Sequence, residues 1–400
     1  MMAQALSDLK VVDLTHHVAG PSCTKMLADF GAGVIKVERP RIGDPARQMG
    51  PFFRDEHGKE KSGLFLYLNT NKRSITLNLK SKTGVEIIKK LIEETDVLVE
   101  NFAPRVMPSL GLSYDVLEKI NPRLVMTSIS NFGQTGLYRD YKATDLTLQA
   151  FAGALAGSGQ IGREPYKMGG AQAQLMTGRV AFIATMGAVF GVDQTGEGQH
   201  VDVSIMEATA SNELAMTAIY VYSGLVQGRK RLAVAPGHPA GPYPCKDGYV
   251  NVLIGVGHMG DLAKLVGRPE MAEERWFRDH RFRLEHREEF DKEFMLPYLM
   301  QHTREEVVEQ AQALGMPFIT SIDMSELLVE PQFKAREFFV DVEHPATGKL
   351  TYPGAPFKMS ATPWRAGRAP LLGEHNEEIY CHQLGYTKDE LVRLYQTGII

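Results

Sequence analysis

Apolar positions in the first two hundred residues alternate between short runs and helical spacings. Residues 9–14 (LKVVDL) predict a strand, 22–30 a helix stopped by Gly31 and Gly33, and 34–38 a second strand. Residues 74–79 alternate apolar and polar side chains, as a strand with one wetter face would. Ser81 is placed to cap a helix whose Val85, Ile88 and Ile92 recur at helical spacing, and strands follow at 97–100 and 124–130. Strands separated by helices favour parallel pairing through crossovers, so the predicted class is α/β with a twisted parallel sheet.

The texture then changes. Residues 168–190 are rich in Ala, Gly and Met, which suits a helix packed closely against another backbone. A Gly-Pro cluster at 236–244 predicts a crossing between domains. Residues 249–254 restart as a strand, and 304–314 form an amphipathic helix with Val307, Val308, Ala311 and Leu314 inward. The predicted organisation is a large domain over 1–224, a smaller domain over 225–330, and a returning segment over 331–400. That segment begins Pro-rich and extended and ends in one or two helices at 376–396.

Composition narrows the functional classes. The 44 Lys+Arg against 48 Asp+Glu give a net charge of −4, without the basic excess of a dedicated nucleic-acid binder. No long uninterrupted apolar run predicts a membrane span. Residues 1–10 lack the basic-then-apolar order of a secretory signal. Cys23, Cys245 and Cys381 are too few and too scattered for a disulfide framework or a zinc site. A reducing, cytoplasmic setting is expected.

Single motifs are ambiguous. Gly31-Ala32-Gly33 stands between a helix and a strand, whereas dinucleotide fingerprints place glycines after a strand, so a helix stop is the simpler reading. Arg39 follows a strand end, where ligands of parallel sheets gather; a solvated surface arginine is the alternative. Taken in order, however, the segments LADFGAGVIKVERPRIGDPAR (27–47), NKRSITLNLK (71–80), DVLVENFAPRVMPSLGL (96–112), SISNFGQTG (128–136), DLTLQAFAG (145–153) and TGEGQHVDVSIME (195–207) resemble the family III CoA-transferases.

That resemblance implies a Rossmann-like large domain that includes the returning C-terminal segment, a smaller α/β domain, and an interlocked-ring dimer. It implies coenzyme A or an acyl-CoA as substrate and no metal. The positions matching family CoA contacts are Val18, Ala19, Arg39, Leu77, Asn78, Leu79, Lys80, Asn101, Phe102, Ala103 and Lys142. Arg39, Lys80 and Lys142 would supply cations for phosphates, and Leu77, Leu79 and Phe102 apolar walls for adenine.

Departures from the family pattern matter as much. The family's aDxxxG motif carries the nucleophilic aspartate; here the stretch is Ala173-Gln174-Leu175-Met176-Thr177-Gly178, with Gln174 at that position. After NFxP the family has Gly and, four residues on, Arg; here stand Arg105 and Ser109. Racemase members have a His before the Asp that matches Asp145, where this chain has Thr144. An amide cannot replace the carboxylate that attacks a thioester. The resemblance therefore implies a subunit with no catalytic residue of its own, working with a homologous Asp-bearing subunit in a heterodimer or heterotetramer. Such an enzyme would move CoA from a donor such as succinyl-CoA to an acid such as (R)-benzylsuccinate. The alternatives are an active homodimer using Asp145 and a non-enzymatic acyl-CoA-binding protein. His16 and His17, acid–base candidates by type, read as structural or as part of the acyl pocket.

Overall fold

The structure, a computed structural model, describes residues 4–159, 162–226, 228 and 238–400. The chain divides into two units, Met1–Arg229 with Glu337–Ile400, and Lys230–Arg336.

The first unit is built on six parallel strands: β1 (Lys10–Asp13), β2 (Gly33–Glu38), β3 (Arg73–Thr76), β4 (Val97–Glu100), β5 (Val125–Ser130) and β6 (Gln199–Ser204). Their order is β3-β2-β1-β4-β5-β6, the doubly wound arrangement of nucleotide-binding sheets. Successive residues feed two cores. Val11, Val34, Val97, Val99 and Val125 pack on one face, while Val12, Ile35, Leu98 and Met126 pack on the other. Burial on both faces explains why β1, β2, β4 and β5 carry apolar residues at consecutive positions.

Helix α1 (Ala19–Asp29) starts three residues earlier than the pattern predicts. Pro21 falls in its first turn, where a missing N–H costs nothing and the ring's fixed φ suits the helix. Helix α2 (Lys82–Ile92) is capped by Ser81, whose hydroxyl accepts the Gly84 N–H at 2.9 Å.

The wetter face expected of residues 74–79 does not exist. The strand ends at Thr76, and Ser74 and Thr76 are both buried. The returning C-terminal segment covers them: Asn376 accepts the Thr76 N–H and donates to its hydroxyl, both at 2.9 Å, and Tyr380 donates to the Thr76 carbonyl at 2.7 Å. The polar positions thus meet partners three hundred residues away. The same segment is less extended than expected, containing an antiparallel hairpin, Phe339–His344 with Gly348–Pro353, and a terminal helix Lys388–Gln396.

The Ala/Gly/Met-rich stretch forms a helix over Gln172–Thr195, after a short helix Asp145–Phe151; these are α4 and α3. By length and composition α4 is apolar enough to cross a membrane, a feature the residue pattern did not predict. In this fold its Ala173, Thr177, Ala181 and Thr185 are buried, and it packs along α1. The contact depends on Gly178. A Cβ there would stand 2.6 Å from Ser22 Cβ and 2.7 Å from the Ala19 carbonyl oxygen. Gly178→Ala gains about 1 kcal/mol of helix propensity. Overpacking against a backbone atom costs about 1–3 kcal/mol. The expected result is a net loss of up to about 2 kcal/mol, read as a lowered urea midpoint with unchanged slope.

The second unit holds β7 (Ala240–Cys245), β8 (Gly248–Leu253) and β9 (Ile319–Thr320) in an antiparallel sheet. Residues 236 and 237 of the Gly-Pro cluster lie outside the described residues. The rest of the cluster is not a linker but largely strand β7. As an edge strand it tolerates Pro242 and Pro244, which lack a ladder donor. Helix Arg304–Ala313 buries Val307 and Ala311 fully, with Val308 and Leu314 at the margin of the same core.

Candidate active site at the carboxyl edge of the sheet

Chain direction from the sheet centre reverses between β1 and β4, and in doubly wound sheets ligands settle beyond the carboxyl ends of the strands at that point. Here the two connecting turns are tied by one side chain. Asn101 Oδ1 accepts the His16 N–H and Asn101 Nδ2 donates to the His16 carbonyl, both at 2.8 Å. The His16 and Phe102 rings meet edge to face at 5.4 Å. His17 adopts a left-handed φ of 65°, a conformation that costs a non-glycine residue energy, and its N–H is held by Asp44 Oδ1 at 3.1 Å. Helix α1 then starts with no side-chain cap.

Every position matched to CoA contact lies on this edge. Val18 and Ala19 follow β1, Arg39 follows β2, Leu77 to Lys80 follow β3, Asn101 to Ala103 follow β4, and Lys142 lies in the loop after β5. Five adjacent strands at about 4.8 Å spacing make an edge about 19 Å wide. Arg39, Lys80 and Lys142 are exposed and form no ion pair among the described residues. Leu77 corrects the expectation of an apolar wall. Its side chain is 2% exposed and packs with Ile75 in the core, so only its backbone faces outward. Leu79 and Phe102 are half-buried and keep accessible apolar surface.

Beneath the edge lies a buried charged network that the sequence reading missed. Lys36 Nζ contacts Asp44 Oδ2 and donates to the Thr15 carbonyl, both at 2.9 Å. Arg47 grips Glu38 in a two-point pair at 2.7 and 2.8 Å, and Lys72 contacts Asp13 at 3.0 Å. Burial alone would raise the Asp13, Glu38 and Asp44 carboxyls, but the cations outweigh it and hold all three below their ordinary values. Burial, with Asp13 offsetting only part of it, brings Lys72 down to about 8. Burial and then the Lys36 charge push His16 down to about 4, so its ring is neutral at pH 7. A signal was available: Lys36 and Glu38 interrupt an otherwise apolar strand.

Gln174 occupies the first turn of α4 and is half-buried. Its N–H donates to Asp145 Oδ1 at 3.2 Å, while its side-chain amide has no partner among the described residues. Asp145 is buried, and its other oxygen accepts Gln149 Nε2 at 2.6 Å and faces Lys167 Nζ at 3.6 Å. Both carboxylate oxygens are therefore engaged. Arg105 is also occupied, in an exposed two-point pair with Asp140 at 2.9 and 2.7 Å. Ser109 turns its hydroxyl onto the Val106 carbonyl at 2.8 Å.

Fold and site together define a doubly wound α/β protein with a cationic ligand edge. The chain belongs to CoA-transferase family III, whose profile matches residues 6–376. It is 34% identical to a formyl-CoA:oxalate CoA-transferase of Streptomyces coelicolor, with both chains covered completely. It is 34% identical to the succinyl-CoA:(R)-benzylsuccinate CoA-transferase subunit BbsE of Thauera aromatica, over 100% of this chain and 99% of that one. A solved CaiB/BaiF family protein from Brucella suis superposes with a TM-score of 0.86 at 31% identity, covering 95% of this chain and 99% of that one. The family is one of enzymes that transfer CoA between an acyl-CoA and a carboxylic acid, and a CoA thioester is the substrate. The relatives' names span several acids at similar identity, so identity alone selects none of them.

Proposed function

We propose that this chain is the nucleophile-free subunit of a CoA-transferase, paired with a homologous subunit that carries the aspartate. The observation that carries this reading is Gln174 in the first turn of α4 with an unengaged amide, beside an Asp145 whose oxygens are both taken. In the partner's site the aspartate carboxylate attacks the donor thioester carbonyl and expels CoA as thiolate, leaving a mixed anhydride. The thiolate then attacks the aspartyl carbonyl and releases the donor acid, so that CoA is carried as an aspartyl thioester. A neutral amide cannot enter that sequence. This chain contributes the carboxyl edge: Arg39, Lys80 and Lys142 toward phosphates, Leu79 and Phe102 toward the base, and backbone from Val18, Ala19 and the 77–78 turn.

Exposed apolar surface supports an intimate, ring-like pairing of subunits. On α4, Ile183 and Phe190 are 68% and 67% exposed, and on the helix Leu214–Ser223 Tyr222 is 89% exposed. Succinyl-CoA as donor and (R)-benzylsuccinate as acceptor are the pair we favour, on the likeness to BbsE.

The test is acylation. Purified alone with succinyl-CoA, the chain is expected to form no hydroxylamine-sensitive acyl-enzyme. Co-expressed with an aspartate-bearing homologue, the complex should form one, located on the homologue by mass spectrometry. Acylation of this chain, at Asp145 or elsewhere, would sink the reading.

A further inference from the structure

The CoA edge carries one buried carboxyl that the transfer chemistry does not use. Glu100 ends β4 and is 3% exposed. Its Oε2 accepts the Phe102 N–H at 2.8 Å, which fixes the turn that presents Asn101, Phe102 and Ala103. The register places Glu100 opposite Ser128 on β5, which favours the charged form of the carboxyl. Ser128 Oγ also lies 2.8 Å from His200 Nε2 on β6. His200 is exposed at the sheet edge and stacks on Tyr114 at 5.6 Å. Beside the carboxyl, Ser128 and His200 form a polar pair on the neighbouring strands that reaches solvent.

We infer that Glu100 is a positioning residue for CoA binding, setting the 101–103 turn through its bond to the Phe102 N–H. The inference rests on the CoA reading of this edge. When ionised, Glu100 offers a charge-assisted acceptor to the Phe102 N–H. When protonated, it keeps only a neutral carbonyl for Phe102, a weaker acceptor. The charged group facing Glu100 is Asp202 on β6; His200 in turn faces Asp202 and Asp115. Burial, helped by Asp202 and opposed by the Ser128 and Phe102 bonds, raises Glu100 to about 7, so both forms occur near neutrality. Burial lowers His200, against the pull of Asp202 and Asp115.

Two measurements on the full chain decide the matter. In protein labelled with 15N-phenylalanine, the Phe102 amide resonance should titrate across neutral pH in the absence of any ligand. Glu100→Gln should abolish that titration, and Ser128→Ala should move its midpoint upward because a neighbour that favours the ionised form is lost. Calorimetric titration with 3′-dephospho-CoA, whose diphosphate keeps its charge over this range, should give affinity about five-fold weaker at about pH 6 than at about pH 8, and Glu100→Gln should bind it with a flat profile at the weaker level. A Glu100→Gln protein that keeps the wild-type slope, or a Phe102 amide that does not titrate, overturns the inference. A wild-type chain that binds no CoA at any pH while its Phe102 amide still follows Glu100 counts against the CoA reading alone, and supports the hold of Glu100 on the turn.

Discussion

Replacing Lys36 with methionine should destabilise the large unit by about 3–5 kcal/mol, because it leaves buried carboxylates without their cation. Lys36 and Asp44 are both fully buried, and Lys36 also lies in the field of Asp13. Methionine keeps most of the apolar stem, so the loss is electrostatic rather than a cavity. The pH dependence separates the two causes. In the native protein Asp13, Glu38 and Asp44 have folded values below their unfolded ones. Their contribution is therefore present above an unfolded value of about 4 and lost as pH falls through the depressed folded value. Without Lys36, burial dominates Asp44 and favours its neutral form. The penalty of Lys36→Met should then be largest at neutral pH and shrink toward about pH 5. Chemical denaturation at the two pH values reads both terms. A loss below about 0.5 kcal/mol at neutral pH would mean that water or Arg47 already compensates Asp44, and a pH-independent loss would point to packing.

Lys72 has the opposite sign. Its folded value of about 8 lies below the ordinary lysine value, so burying it charged costs stability below pH 8. That cost is relieved between about 8 and 10.4. The network is thus not optimised for stability. Its geometry suggests what it maintains: Asp44 accepts the N–H groups of His17 and Ala46, and Asp13 accepts the Thr15 N–H at 2.8 Å. The strained turn between β1 and α1 is held from below.

This network also marks the boundary of what the sequence discloses. Strands buried on both faces carry apolar residues at consecutive positions, and β1, β2, β4 and β5 were legible for that reason despite the polar residues within them. Their carboxyl ends follow once the strands are known, which is why Arg39 and the 101–103 turn could be placed on one edge. The pair Lys72–Asp13 was not legible, since nothing local joins residues 59 positions apart, and Arg47–Glu38, nine apart, is closed only by the turn that follows β2. The same holds for Ser74 and Thr76. Their polarity was read as contact with water, yet the Ser74 hydroxyl donates to Glu38 and accepts the Gly373 N–H, and the Thr76 hydroxyl accepts from Asn376, the last two brought back by the returning segment. Gly178 was legible only as part of a motif; its physical reason, the approach of α4 to α1, needed both helices in place.

Gln174→Asp by itself should not create a working second active site. In a heteromer whose other subunit has lost its aspartate, the variant is expected to recover no more than about a thousandth of native transfer. The new carboxylate would sit in the first turn of α4, where the helix dipole favours it by about 0.3–1 kcal/mol. It would also share that turn with Asp145, already bonded to the backbone N–H of residue 174, and like charges resist joint ionisation. Aspartate is one methylene shorter than the glutamine the site now accommodates, and a reacting group misplaced by ~1 Å loses about a hundredfold in rate. On the phosphate side, Ser109 is turned onto the Val106 carbonyl and Arg105 is held by Asp140, so a charge-assisted contact worth about 1.5–3 kcal/mol is missing. The losses multiply, which puts the variant three to four orders of magnitude down by rough count. Single-turnover acylation with succinyl-CoA, trapped by hydroxylamine, is sensitive enough to see such a rate. Adding Ser109→Arg should then raise it by about tenfold or more through the restored contact, and breaking the Arg105–Asp140 pair with Asp140→Asn should act in the same direction. Near-native transfer by Gln174→Asp alone would mean that only the nucleophile has been lost, and that Arg105 leaves its exposed pair with Asp140 to hold the phosphate. An exposed pair worth under about 1 kcal/mol could be exchanged that cheaply, which is why the comparison with Asp140→Asn decides between the two.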